Sequence, residues 1–377
     1  PVSYVAPSAY YRYLTATLEF AGPTFVKLGQ WASTRRDIFP AEMCASLFRL
    51  DSKTSIGGHV KKIPEYVSLR YHVKSPAIGS GCIARVYEGV DRNSGRRVAI
   101  KIKHPNVNES VYRDVRILEL VAYVFSKIPT MKWLSLYESA REFSVYMKSQ
   151  LDLNTEASNL KSFRTLFQDV KDVQFPSVVE HDENVLIMDF VNGSCLSELM
   201  KSSGNEKLKR SIARLGLKSF LKMLLKDNMI HGDLHPGNIM YDEQGSITFL
   251  DVGLTVQLER EDRDNFLDLF RVVLRGQGRE AGRLILERSK ENNCEDPELF
   301  YDEMESIVND ALSQDGGLRD VRSCVCVSLS LITTLKQTRL QVRIGGVLGR
   351  VLSAVRHHRV KLDSNFVSVV VSISLLE

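Results

Sequence analysis

Between residues 231 and 253 the chain reads His231-Gly232-Asp233-Leu234-His235-Pro236-Gly237-Asn238, then a short apolar stretch from Ile247 to Leu250, then Asp251-Val252-Gly253. This passage limits the fold more than any other. Asp233 and Asn238 stand five apart in a loop that Pro236 and Gly237 keep from being helical. A carboxylate at the first position can orient a nucleophile and take its proton, while an amide oxygen at the second suits a hard divalent cation. Asp251, at the end of a strand, adds a second oxygen ligand. Each piece alone is an ordinary polar turn; in this order they describe Mg²⁺-assisted phosphate chemistry.

Two upstream elements extend the pattern. Gly79-Ser80-Gly81-Cys82-Ile83-Ala84-Arg85-Val86 is G-x-G-x-x-A-x-V, a turn whose backbone N–H groups can approach phosphates. Val98-Ala99-Ile100-Lys101 is a strand ending in a lysine, placed to reach the α- and β-phosphates. Such a lysine needs a helical carboxylate to fix it. Glu156 is the choice, with Glu109, Glu119 and Glu142 as competitors. Ile187-Met188-Asp189-Phe190-Val191 reads either as a hinge, with the backbone of Asp189 and Val191 facing adenine and Met188 behind it, or as a core strand entering a turn. Gly79, Gly81, Ala84, Val86, Lys101, Met188, Asp189 and Val191 are thus candidates for ATP, Asn238 and Asp251 for Mg²⁺, and Asp233, Lys101, Glu156 and His231 for catalysis.

The order of elements predicts an α+β, two-lobed protein-kinase-like fold. Residues 1–50 form a helical extension broken at Gly22-Pro23, residues 51–75 a connector, 76–191 a small β-rich lobe with inserted helices, and 192–377 a mainly helical lobe. With 44% hydrophobic residues the chain can bury a large core, and 50 basic against 46 acidic residues argue against nucleic acid as a partner. The six cysteines show no C-x-x-C spacing, which favours free thiols over disulfides or zinc. No targeting segment is visible. The start at Pro1 and the stop at Glu377, after the apolar run Phe366 to Leu376, suggest a piece of a longer protein.

Ahead of the Gly-rich turn lies Lys27-Leu28-Gly29-Gln30, followed by Ser33, Arg35 and Asp37; later come Glu156-Ala157-Ser158-Asn159 and the His231 to Asn238 loop. Together these resemble the UbiB/aarF-domain-containing atypical kinases, and most closely the second type of mitochondrial aarF-domain kinase. The resemblance covers roughly residues 20–260. It implies that the helix bearing Lys27, Gly29 and Gln30 lies over the nucleotide cleft and regulates access, that the cofactors are ATP and Mg²⁺, and that the protein works in mitochondria. It further implies a role in coenzyme Q (ubiquinone) or lipid metabolism. Two departures stand out. Gly79 and Gly81 replace the family's frequent alanines, and Gln150 in Gln150-Leu151-Asp152 cannot make the ion pair with Lys27 that a glutamate would.

No Ala-Pro-Glu follows Asp251-Val252-Gly253, so the peptide-docking segment of protein kinases is expected to be missing. A small or lipid-like substrate, or ATP hydrolysis alone, fits better than a protein substrate. The competing readings are an aminoglycoside- or choline-kinase-like phosphotransferase, against which Lys27 to Gln30 speaks, and a pseudokinase scaffold for a membrane-associated complex. The basic stretch Arg339 to Lys361 is read as a solvated helix face before a membrane-binding one. His357-His358 is not expected to bind metal, because adjacent positions point apart on a helix.

Overall fold

The computed structural model describes residues 7–52, 63–128, 136–202, 204–289, 291–314 and 344–362. The chain separates into two compact units. One comprises Pro1–Thr34, Glu42–Ile212 and Pro236–Thr255, the other Arg35–Ala41, Ala213–His235 and Val256–Glu377. Cys324, Cys326 and the run Phe366 to Leu376 lie outside the described residues.

The first unit opens with α1 (Pro7–Ala21), α2 (Pro23–Thr34) and α3 (Ala41–Leu47). Gly22, at φ +115°, makes the break between α1 and α2, and Pro23 sits at the first helical position, where its missing N–H costs nothing. Gly29 is needed for packing: a Cβ there would stand 2.3 Å from Leu50 Cδ1. The connector expected over 51–75 already contains structure, α4 (Glu65–Arg70) and β1 (Tyr71–Val73).

A hydrogen-bonded sheet follows, with β2 (Gly79–Ser80), β3 (Ala84–Asp91), β4 (Arg97–Lys103), β6 (Val178–His181) and β7 (Val185–Asp189). Its order is β1-β3-β4-β7-β6, with β2 on β3 and every pairing antiparallel. The β3–β4 turn forms because Asp91 Oδ1 accepts the N–H of Asn93 (2.9 Å) and Gly95 takes φ +70°. One face of the sheet buries Tyr87, Val98, Ile100, Val185 and Ile187. Between β4 and β6 come α5 (Val107–Ser126), α6 (Leu136–Ser149), α7 (Leu153–Leu166) and β5 (Val173–Gln174). Val111 and Val115 of α5 pack with Phe143 and Met147 of α6 into a second apolar cluster.

Past β7 lie β8 (Ser194–Cys195), α8 (Leu196–Lys201) and α9 (Glu206–Leu221), then β9 (Ile230–His231), β10 (Ile239–Tyr241), β11 (Ile247–Phe249) and β12 (Thr255–Val256). The expected boundary at residue 192 is not where the chain divides. β8 and β10 pair antiparallel, β10 and β11 form a hairpin, and β11 pairs in parallel with β5, which holds 192–212 and 236–255 in the first unit.

In the second unit α9 gives way to a π-helical turn, Lys222–Asp227, stopped by Asn228 at φ 50°. Then come α10 (Arg260–Leu274), α11 (Gly278–Arg288), β13 (Glu291–Asn292), α12 (Pro297–Gln314), α13 (Ile344–His357) and β14 (Val360–Lys361). Ala281, Ile285, Phe300, Met304, Ile307, Val351 and Val355 make an apolar core. Of the basic stretch Arg339 to Lys361, Arg339 and Arg343 lie outside the described residues; Arg350 on α13 pairs with Asp310, and Arg359, past the helix, with Glu295, each at 2.8 Å. Among the described residues no helix is long and apolar enough to cross a membrane.

Candidate functional site

Lys101 is placed by β4, where it pairs with Val86 on one side and Leu186 on the other. Its ammonium lies 2.7 Å from Glu156 Oε2, 2.8 Å from Glu156 Oε1 and 3.0 Å from Asp251 Oδ2. Of the four carboxylates open to it in sequence, Glu156 is the one in reach. Glu109 and Glu119 ride on α5, and Glu142 on α6.

Glu156 comes from the first turn of α7, whose N-terminus is fixed by Asp152: its carboxylate accepts the N–H of Asn154 at 2.9 Å. Three residues on, Asn159 occupies the same helix face and donates to the carbonyl of Val252 at 2.9 Å. One helix face therefore grips Lys101 and the Asp251-Val252-Gly253 turn together. The role of Asn159 was not read from the sequence, although its i+3 spacing from Glu156 carried the signal. A stack of rings sets how far α7 stands from β11. Phe163 lies on Phe175 (centroids 5.0 Å apart), and Phe175 on Phe249 (5.3 Å).

The β10–β11 hairpin positions the two candidate oxygen ligands, Asn238 and Asp251. Leu250 N–H donates to the carbonyl of Asn238 at 2.9 Å, so Asn238 and Asp251 emerge at the same end of the hairpin. Asp251 Oδ1 also accepts the N–H of Gly253 at 3.1 Å, and 46% of its side chain stays exposed. An exposed carboxylate beside a neutral amide is a donor set for a hard cation, so these residues fit Mg²⁺.

The charges are strongly coupled. Burial raises the Glu156 carboxyl, the nearby Asp251 charge raises it further, and Lys101 offsets only part, leaving its pKa at about 7. Burial also opposes the charge on Lys101, but the Asp251 and Glu156 carboxylates outweigh it and hold the ammonium above its ordinary range. For Asp251 burial pushes upward, and Lys101, the Gly253 N–H and the charge of Lys27 pull it well below the usual carboxylate range. Lys27 also draws the Cys82 thiol down, against the larger upward effect of burial. The ammonium of α2 therefore acts electrostatically on both the Gly-rich turn and Asp251. Gln30 instead turns to the Leu50 carbonyl (3.3 Å), and Arg35 and Asp37 form a nearly buried pair at 2.8 Å.

Gly79 and Ser80 pair with Val86 and Arg85, and Gly81 N–H closes the turn on the Ala84 carbonyl at 2.9 Å. In the hinge stretch the N–H of Asp189 is engaged by the Ser177 carbonyl at 2.9 Å, which removes it as a donor to a base. The Asp189 side chain pairs with Arg96, and Met188 is buried.

Asp233 and His231 belong to the second unit. His231 is fully buried and its Nδ1 accepts the backbone N–H of Asp233 at 3.2 Å. The expectation that His231 is catalytic is corrected accordingly: a ring with no accessible surface shapes the Asp233 loop and cannot touch a substrate.

The description "ABC1 atypical kinase-like domain" matches residues 66–283, more than half of the chain. A mitochondrial ABC1 family protein of Schizosaccharomyces pombe is 28% identical over the whole chain, which spans 63% of that protein. Another, from Saccharomyces cerevisiae, is 30% identical over 97% of the chain and is spanned to 64%. The chain thus covers just under two thirds of either yeast relative, and their mitochondrial location is the one the resemblance implied. The probable protein kinase UbiB of Aliivibrio salmonicida is 27% identical over 68% of the chain and 51% of its own length. A solved structure, the complex of Rv3197 with erythromycin from Mycobacterium tuberculosis, superposes with a TM-score of 0.53 at 18% identity, covering 78% of this chain and 76% of that one. That likeness establishes the fold alone; the match over residues 66–283 shows that the chain belongs to the ABC1 atypical kinase-like family, the UbiB/aarF group.

Proposed function

We propose that the protein binds Mg-ATP and carries out phosphoryl transfer or ATP hydrolysis in mitochondrial coenzyme Q or lipid metabolism. The observation that carries this reading is Lys101 held between Glu156 and Asp251, at 2.7 and 3.0 Å. A half-buried ammonium fixed by two carboxylates, one of them half-exposed, is suited to meet an anion beside a cation. In this reading Lys101 clamps phosphate oxygens, Asn238 and Asp251 hold Mg²⁺, and Asp233 orients the attacking hydroxyl or water and takes its proton. Mg²⁺ held by Asn238 and Asp251 would supply positive charge against the charge that develops on the phosphate oxygens. The Asp189 carbonyl and the Val191 N–H are the hinge groups assigned to adenine.

A small or lipid-like acceptor, or water, is favoured over a peptide because α10 begins at Arg260, leaving few residues after Gly253 for a docking segment. Leu120, Val124 and Phe125, exposed along the end of α5, and Ile128 just past it suit work at a lipid surface. ATP turnover should be measured on the full-length protein with and without liposomes and quinone-precursor-like phenols, alongside Asp251→Asn. Turnover that liposomes or phenols stimulate and Asp251→Asn abolishes supports the reading. Tight nucleotide binding without turnover, and full cellular function of Asp233→Asn, would point to the scaffold instead.

A further inference from the structure

The second unit contains a ligand cluster that the nucleotide chemistry does not use. Glu303 lies on α12, His357 is the last residue of α13, and His358 follows it. Glu303 Oε2 is 2.9 Å from His358 Nε2 and 3.7 Å from His357 Nδ1, and the three ligand atoms all lie within 4.8 Å of one another. A tetrahedral zinc shell with its usual bond lengths separates ligand atoms by roughly 3.4 Å. Small side-chain rotations therefore bring this set onto one ion.

The expectation that neighbouring histidines point apart fails here for a definite reason. The helix ends at His357; His358 N–H still reaches the Ala354 carbonyl at 3.0 Å, but Arg359 takes φ 55° and the chain turns into β14. The two rings stand 75° apart with centroids 5.0 Å from each other. One offers Nδ1 and the other Nε2, so a single carboxylate oxygen faces both.

His358 is supported from behind. Its side chain is 11% exposed, its ring meets Phe300 edge-on at 5.2 Å, and its Nδ1 lies 3.9 Å from Cys294 Sγ. Without an ion, His358 Nε2–H donates to Glu303 Oε2 at 2.9 Å; a bound ion would take that proton's place, with the ring's remaining proton on Nδ1 directed at the Cys294 sulfur. His357 and Glu303 are 75% and 41% exposed, which leaves a side open to water as fourth ligand.

We propose that Glu303, His357 and His358 bind a divalent transition-metal ion, Zn²⁺ in particular, linking α12 to the end of α13. Two imidazoles and one carboxylate select zinc over Mg²⁺ or Ca²⁺, which prefer all-oxygen shells. The site is separate from the Asn238–Asp251 pair in ligand type.

The test uses the full-length protein without nucleotide. Zn²⁺ affinity is measured by competition with a chromophoric chelator, and Co²⁺ is followed by its visible absorption. One ion per chain should bind, Mg²⁺ in excess should not displace it, and Zn²⁺ should raise the unfolding temperature. His357→Ala and Glu303→Gln should each weaken binding at least about tenfold, a ligand mattering no less than the outer-shell groups whose loss costs that much. The exposed His357 can be removed without touching the core, so its variant stays folded and decisive. Wild-type affinity in both variants, or no binding by the parent protein at micromolar zinc, would reduce the cluster to an ion pair between Glu303 and its histidines.

Discussion

Gly79 and Gly81 in the first unit, and Gly278 and Gly282 in the second, show two different reasons to keep a residue without a side chain. A Cβ on Gly278 would stand 2.4 Å from the Cα of Glu305 and 2.6 Å from the Met304 carbonyl; on Gly282 it would meet the Tyr301 ring at 3.0 Å. On Gly79 the nearest atom is Val86 Cβ at 3.8 Å, and on Gly81 the Ala84 carbonyl at 3.6 Å. Neither of these two takes a positive φ. The seam between α11 and α12 closes only over glycine, whereas the Gly-rich turn has room for alanine. Charge shows the same contrast. The cluster that α11, α12 and α13 close over is apolar, while β4 and α7 enclose Lys101 and Glu156 where two well-packed apolar side chains would be at least as stable. The site keeps features that its fold does not need, which is what the proposed binding of a nucleotide calls for.

The largest effect should come from removing the buried charge. The folded-state pKa of Glu156 is raised from 4.5 to about 7. A raised carboxyl contributes stability that is complete below pH 4.5 and is lost as pH rises through 7, because the folded state favours the protonated form. Glu156→Gln is neutral at every pH and escapes that loss. The stability of the variant minus that of the parent should therefore climb by ~3 kcal/mol between pH 4 and pH 8, at 1.36 kcal/mol per pKa unit. Urea unfolding at a series of pH values measures it. A flat difference would mean that Lys101 fully compensates the buried carboxylate, and the charge half of the contrast would disappear.

Gly278→Ala tests the other half. With backbone atoms of α12 inside 3 Å of the new methyl group, α11 and α12 must part, at a cost of about 2 kcal/mol. The unfolding temperature should drop by several degrees while ATP binding by the folded fraction stays unchanged. Retained stability would show that the seam relaxes freely and that its glycines are not packing residues.

What could be read from the sequence follows how local each feature is. The turn at Asp91 to Gly95, the strand at Val98 to Ile100 and the break at Gly22-Pro23 depend on neighbours in the chain, and the elements stand where the residues put them. The order of the phosphate-chemistry segments was equally visible, since each is short and written in rare residue types. Periodicity left four carboxylates open for Lys101; the Glu156-Ala157-x-Asn159 pattern singled one out, but only packing through Phe163, Phe175 and Phe249 gives it a distance. The place of 236–255 in the first unit goes with the β8–β10 and β5–β11 pairings, contacts between distant residues that no local pattern announces. The meeting of His357 with His358 was hidden for a similar reason, because it depends on where α13 stops and on Arg359 turning left-handed.

The smallest change in stability, and the sharpest test of the comparison, belongs to Gly79→Ala and Gly81→Ala. Each methyl group enters ordinary van der Waals space at a backbone conformation alanine accepts. The unfolded chain loses freedom that the folded turn never had, so stability should hold or rise by about 0.4–1 kcal/mol. Nucleotide affinity should change several-fold all the same, because in the proposed reading the methyl occupies the face of the turn along which phosphates would approach. Thermal unfolding and titration with a fluorescent ATP analogue, run on the same preparations, separate the two quantities. If alanine instead lowers stability by more than 1 kcal/mol with affinity intact, these glycines are packing residues like Gly278, and the turn has no claim on a ligand.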